Sequence, residues 1–260
     1  MKTNPILIRH RSRLVFILGL AFALRVTSLA DRSLWWDEGI GVWLARMPLL
    51  EAIRWTGGDV HPPLHYILQR FWWLAAGEGA FNTGAFVMRY LSVLIGLLMV
   101  PLMYRLGKAL GGERVGMLAA LFTALSRFAI IWAQEIRMYA LAATLATGAL
   151  WAAVWLWRRG GWRPWLAYVT TTFGCLFSLY LTVTVPLVAN VGFVVAWWQA
   201  ERPRALLHRW LSAQIAVGVL FAPWASSSRR GWPTPCPGCT VGAAMPISRR
   251  RSSSSSTRRC

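Results

Sequence analysis

Trp35-Trp36-Asp37-Glu38-Gly39 sets two adjacent carboxylates beside two indoles, immediately after the first long apolar run of the chain. A carboxylate can take a proton from an attacking hydroxyl. Ionised side chains are also costly beside hydrocarbon, so an acidic pair at the mouth of an apolar segment is a functional candidate. The alternative for this stretch is a solvated loop with interfacial tryptophans. Two further stretches carry chemistry of the same kind. Asp59-Val60-His61-Pro62-Pro63-Leu64 joins a carboxylate to an imidazole, and Trp132-Ala133-Gln134-Glu135-Ile136-Arg137-Met138-Tyr139 adds a guanidinium, a carboxylate and a phenol. The guanidinium presents a rigid fork of donors that suits phosphate oxygens, and Tyr139 can supply one more hydrogen bond.

The elements that must position these residues are set by composition. The chain is 56% hydrophobic and only 14% charged, which is far from a soluble balance and indicates an all-α polytopic membrane protein. The net charge of +19 would fit nucleic acid if it formed a basic face on a soluble domain. Here the arginines fall in short clusters between apolar runs, the pattern of cytoplasmic loops, and no aromatic and basic groove accompanies them, so nucleic-acid binding is excluded.

Lys2, Arg9, His10, Arg11 and Arg13 precede an apolar run from Leu14 to Ala30, which puts the N-terminus in the cytoplasm. Ser28-Leu29-Ala30 has the small-residue pattern of a signal-peptidase site, but Arg25 near the outer end of the run fits a retained helix facing a polar site. Ile40, Trp43, Leu44 and Met47 then make one apolar stripe on a short helix. Leu49, Leu50 and Ile53 continue it after Pro48, until Gly57-Gly58. Pro62-Pro63 opens a third helix whose apolar stripe is Leu64, Ile67, Leu68, Phe71, Trp72 and Ala75, with His65, Gln69 and Arg70 elsewhere on its surface. From Pro62 to Ala76 it is about 22 Å long, short of a membrane core of roughly 30 Å, so these helices are expected along the interface, apolar face down.

Apolar runs near 86–105, 114–131, 139–157, 164–181, 183–199 and 210–225 are long enough to span and, with the first, predict about seven transmembrane helices. The basic connections 105–114, 158–163 and 202–209 fall after alternate spans, on the cytoplasmic side. The three motifs then share the other face, together with seven of the nine acidic residues; Glu113 and Glu201 are the two inside. The predicted localisation is therefore the cell (inner) membrane, with the reactive groups extracytoplasmic. From about Ser226 the composition changes to Ser, Arg, Pro and Cys, so residues 1–225 form the membrane module. Residues 226–260 read as a disordered tail or a frame-shifted end of a longer protein. Cys236 and Cys239 have C-x-x-C spacing without a second pair or a βαβ context, and Cys175 reads as a small buried hydrophobe.

The order of the three motifs, over roughly residues 10–225, resembles the GT-C fold membrane glycosyltransferases, specifically the protein O-mannosyltransferase and lipid A aminoarabinose transferase family. The resemblance implies an inverting transfer of a sugar from a polyprenyl-phosphate donor to a lipid, glycan or protein acceptor on the outer face. It implies Asp37 as general base with Glu38 as its neighbour. It also implies His61, at a place where family members often carry a basic residue, as a companion of Arg137 at the donor phosphate. Arg89, near the outer end of the second span, is either a further phosphate ligand or an interfacial anchor. Gln134, Glu135 and Asp59 are supporting residues, and Glu135 can orient Tyr139 from one turn away. Asp59, His61 and Glu135 are also suitable ligands for a divalent metal, without a dense ligand spacing to require one.

Two other classes remain open from sequence. A transporter should show inverted repeats and ionisable residues near the midplane, and neither is evident. An inactive fragment that still binds a lipid phosphate is compatible with the early end of the apolar pattern.

Overall fold

The computed structural model describes residues 5–77, 85–201 and 203–228, with side chains from 12 to 226. Every regular element among the described residues is helical. The helices are α1 (Pro5–Val26), α2 (Trp36–Arg46), α3 (Leu49–Gly57), α4 (Leu64–Ala76), α5 (Ala85–Leu125), α6 (Arg127–Ala133), α7 (Tyr139–Arg159), α8 (Trp162–Leu176), α9 (Thr184–Gln199) and α10 (Arg204–Ser228), with a 3-10 turn at Tyr180–Val183 before α9.

The long α5 is a hairpin. Gly111 and Gly112 leave helical geometry, and Gly112 at φ 82° takes the left-handed region that favours glycine. Beyond them the chain folds back on itself. A methyl on Gly116 would lie 2.7 Å from the Tyr104 carbonyl oxygen, so the two halves meet backbone to backbone. Val100 on one half and Ala120 and Ala124 on the other share a core with Ile17 and Ala21 of α1. Lys108 and Tyr104 both reach Glu113 across the turn, which gives this lone acid a local role.

Among the described residues four helical stretches are long and apolar enough to cross a membrane: Ala85–Leu125, Tyr139–Arg159, Tyr180–Gln199 and Arg204–Ser226. That is fewer than the seven expected, for three local reasons. In α1, Arg9, Arg11, Arg13 and Arg25 leave only Leu14 to Leu24 uncharged. The runs near 86–105 and 114–131 are joined in one element, and the second of them stops at Leu125, where Ser126 caps a new helix by accepting from the Ala129 N–H. The run near 164–181 is helical only to Leu176, so α8 has 15 residues. Helix α10 continues to Ser228, past the expected boundary at 226. Cys236 and Cys239 lie outside the described residues.

Outward faces are apolar. Leu187, Val188, Val191, Val194 and Val195 of α9 and Ile215 and Val219 of α10 are all more than half exposed, as side chains meant for lipid would be. Between helices α7 to α10 the core combines Ala152, Ala153, Ala189 and Ala213, which allow close approach, with Tyr168, Phe193 and Trp210. Lipid is as apolar as such a core, so close packing supplies the attraction and buried polar groups must find partners. Phe193 stacks on Trp210 at 4.9 Å, the Trp210 indole N–H donates to Asn190 at 2.8 Å, and Gln214 donates to the Tyr168 hydroxyl at 2.9 Å.

The short helices α2 to α4 form a cap. The stripe Ile40, Trp43, Leu44 and Met47 packs with Ala52, Trp55 and Tyr66, as its spacing predicts. Helix α4 is turned the other way round from a soluble amphipathic helix. His65, Tyr66 and Gln69 are its buried residues, while Phe71 and Leu74 are exposed. Gln69 donates to the Met88 carbonyl at 3.0 Å and Trp72 to the Val87 carbonyl at 2.7 Å, so α4 docks on α5 through a polar and an aromatic side chain while Phe71 and Leu74 stay exposed.

Candidate active site

Asp37 and Glu38 open α2, and their side chains diverge. Asp37 is about one-third exposed, and its Oδ2 accepts from the Arg137 guanidinium at 2.8 Å. Glu38 is wholly buried. Its carboxylate receives the Arg89 fork through Nε at 2.8 Å and Nη2 at 2.6 Å, and also the Ile136 N–H at 3.1 Å. As the third residue of the helix it reaches back to the Trp35 N–H at 3.5 Å.

Arg89 spends its remaining donors on backbone carbonyls of the segment before α2: Leu29 and Arg32 at 2.9 Å and Ser33 at 3.2 Å. All five guanidinium N–H groups are thus committed inside the protein. Arg89 is therefore neither a phosphate ligand nor an interfacial anchor. It clamps the connection from α1 to α2 and fixes Glu38, which in turn holds the 134–138 turn by the Ile136 N–H. Glu38 belongs to this buried support and not to the exposed side of the site.

Arg137 is brought to Asp37 by that same turn. Its Nη2 donates to the Tyr139 hydroxyl at 3.1 Å, and its guanidinium carbon lies 5.3 Å from the Tyr139 ring and 5.9 Å from Trp35. Its Nε makes no hydrogen bond although it is shut off from solvent. Burial works against its charge, but the Tyr139 hydroxyl and the Asp37 carboxylate outweigh burial and hold the guanidinium protonated.

Asp59 and His61 stand beside each other, with Oδ2 and Nδ1 3.3 Å apart. Burial alone would raise the Asp59 carboxyl, but the His61 contact, the Val60 N–H and the Arg137 charge bring it below the usual carboxylate range. Tyr66 of α4 feels Asp59, Arg137, Asp37 and Tyr139 together; burial, with the Asp59 and Asp37 charges, pushes its phenol up to about 12 against the opposing pull of Arg137. The three sequence motifs thus surround Tyr66, a residue that nothing in its sequence context singled out. His65 beside it is buried, and neither ring nitrogen makes a hydrogen bond of good geometry. Burial, with Arg137 nearby, lowers it to about 4, against a small opposing pull from the Ile136 backbone, so this ring is neutral.

Gln134 and Glu135 divide. Gln134 donates to the Thr27 carbonyl at 2.8 Å and the Arg25 carbonyl at 3.2 Å, satisfying the end of α1. Arg25, wholly buried, likewise donates to the carbonyls of Thr123 at 3.1 Å and Ala124 at 3.3 Å at the end of α5, so it ties helix ends and faces no polar site. Glu135 neither orients Tyr139 nor joins Asp59 and His61. Among the described residues no three His, Cys, Asp or Glu side chains gather as metal ligands. Glu135 instead lines a cavity of about 370 Å³ with Trp35, Arg32, Glu38 and Arg89. Burial and the neighbouring Glu38 charge raise its carboxyl.

The surface therefore offers the Asp37 carboxylate beside the Arg137 guanidinium and the Tyr139 hydroxyl, with the half-buried Asp59–His61 pair within reach of the Arg137 charge. No model of a known protein family matches the sequence, and no curated protein matches it.

Proposed function

We propose that the chain is a membrane glycosyltransferase of the GT-C type, moving a sugar with inversion from a polyprenyl-phosphate donor to an acceptor hydroxyl at the extracytoplasmic face. The observation that carries this reading is the Asp37–Arg137 pair at 2.8 Å, which joins a proton acceptor to a phosphate-binding fork from segments a hundred residues apart. In the proposed step the acceptor oxygen bonds to the anomeric carbon and its proton passes to Asp37. The bond from that carbon to the phosphate oxygen breaks, and its electron pair stays on the phosphate. Arg137, Tyr139 and His61 then hold the charge that develops there. A donor phosphate competes with Asp37 for the same guanidinium, so donor binding frees the carboxylate for its role as base.

In the proposed topology α1, both halves of α5, α7, α8, α9 and α10 cross the membrane, seven passages with the N-terminus cytoplasmic. Helix α1, with basic residues toward both ends, and the 15-residue α8, with Arg163 in its first turn, cross with the help of snorkelling arginines. The supporting observations are the reversal of the chain at Gly111-Gly112 and the outward apolar faces.

The test is sugar transfer from a radiolabelled panel of polyprenyl-phosphate sugars in membranes carrying the chain or its Asp37→Asn variant. Transfer that disappears with Asp37→Asn supports the reading. Phosphate-lipid binding without transfer across the panel would instead favour an inactive lipid-phosphate-binding protein, and no binding at all would reject both.

A further inference from the structure

The cavity beside the Glu38–Arg89 pair has a use that the phosphate cradle does not supply. Two of its charged walls are closed to any ligand: the carboxylate of Glu38 is filled by Arg89, Ile136 and Trp35, and every donor of Arg89 is committed. What remains is Glu135, one of whose carboxylate oxygens is shut off from bulk water and receives no hydrogen bond from the protein. Arg32 lines the same space and its charge is felt at Glu135, and the hydroxyl-bearing Ser33 completes the polar side. Trp35 supplies a broad apolar wall.

Glu135 lines the cavity, so a ligand that brings hydroxyl donors can pair with its carboxylate there. A volume of about 370 Å³ lies at the small end of ligand pockets and has room for a single ring rather than a chain of them. Trp35 also links the two places, since its ring lines the cavity and lies 5.9 Å from the Arg137 guanidinium. We infer that this cavity is the pocket for the monosaccharide of the donor. One face of the sugar ring lies on Trp35, its hydroxyls donate to Glu135 and accept from Arg32, and its phosphate lies at Arg137. The inference rests on the glycosyl-transfer reading and adds the recognition of the sugar to it.

The experiment uses the full chain in lipid nanodiscs. Binding of a farnesyl phosphate is measured beside binding of the same lipid phosphate carrying glucose, galactose or mannose, for the wild type and for Glu135→Gln and Glu135→Ala. At least one glycosylated lipid should bind the wild type more tightly than farnesyl phosphate. Both variants should lose about ten- to a hundredfold of that affinity, the loss expected when a hydrogen bond to a charged group is removed. Their binding of farnesyl phosphate should stay within about twofold of wild type, which also reports that they are folded. Equal weakening of plain and glycosylated lipids would overturn the inference, because Glu135 would then be structural. So would glycosylated lipids that bind no better than farnesyl phosphate, while leaving the phosphate site standing. If the wild type binds none of these lipids, the donor reading itself falls and takes the inference with it.

Discussion

Arg89→Leu is the perturbation whose consequence can be worked out most fully. The substitution keeps an apolar stem but removes five donors. Glu38, which has no exposed surface, would be left with the Ile136 N–H at 3.1 Å and a long contact to Trp35 at 3.5 Å. The carbonyls of Leu29, Arg32 and Ser33 would lose their donor at the same time. Removing one partner of a buried ion pair costs about 3–5 kcal/mol, because the other charge remains buried and uncompensated. For a chain of this size each kcal/mol moves the midpoint by about 2–4 °C, so the apparent melting temperature in detergent should fall by roughly 6–20 °C. The double variant Glu38→Gln with Arg89→Leu should recover part of that loss, since no bare charge is left. The assay is thermal unfolding of the single and double variants followed by tryptophan fluorescence. If Arg89→Leu melts within about 3 °C of wild type, or the double variant is worse by the full sum of the singles, the pair is not the clamp described here.

Other perturbations test separate parts. Arg137→Gln should lower sugar transfer at least about a hundredfold, the scale on which loss of one positioned charge stabiliser is felt, and Arg137→Lys should recover only a fraction because an ammonium lacks the fork; initial rates with a donor that supports transfer decide it. His65 is neutral in the fold down to about pH 4 but takes a proton near 6.5 when unfolded, so the unfolded state binds more protons between those values. Stability should therefore fall by about 2 kcal/mol as pH drops from 7 to 4.5. Glu135, with its raised carboxyl, acts in the opposite sense, losing its contribution as pH rises, so comparing melting of His65→Phe with wild type at both pH values isolates the histidine. A wild-type loss no larger than that of His65→Phe would count against a buried neutral ring. Gly116→Val should cost about 1–3 kcal/mol by overpacking against the Tyr104 carbonyl, read as a lower melting temperature; an unchanged melting temperature would mean the two halves of α5 do not meet there.

Some of this was legible in the chain itself. The apolar stripe of α2 is a local pattern, and Ile40, Trp43, Leu44 and Met47 pack where that pattern puts them. The break at Gly111-Gly112 and the long apolar faces of α9 and α10 are likewise set by residue type along a short stretch of sequence, and the helical, membrane-suited character of the protein follows from them. Asp37 and Arg137, which the alternation of apolar runs and basic connections puts on one face, do meet, although nothing in the chain itself pairs them. Helix ends were less legible than helices, because a few charges or one capping serine decide where an apolar run stops, as at Arg13, Ser126 and Leu176.

What only the tertiary structure decided is which of several chemically equivalent side chains does which task. Asp37 and Glu38 are both carboxylates, and Arg89 and Arg137 are both guanidiniums, so sequence offers no way to pair them. The fold pairs Glu38 with Arg89 inside and Asp37 with Arg137 at the surface, because successive side chains on a helix point about 100° apart and only one of the two can face α5. The inward turn of His65 and Gln69 had the same cause. In a chain surrounded by lipid, the periodicity of a helix marks two faces, and only contact with its neighbours tells which one is inside.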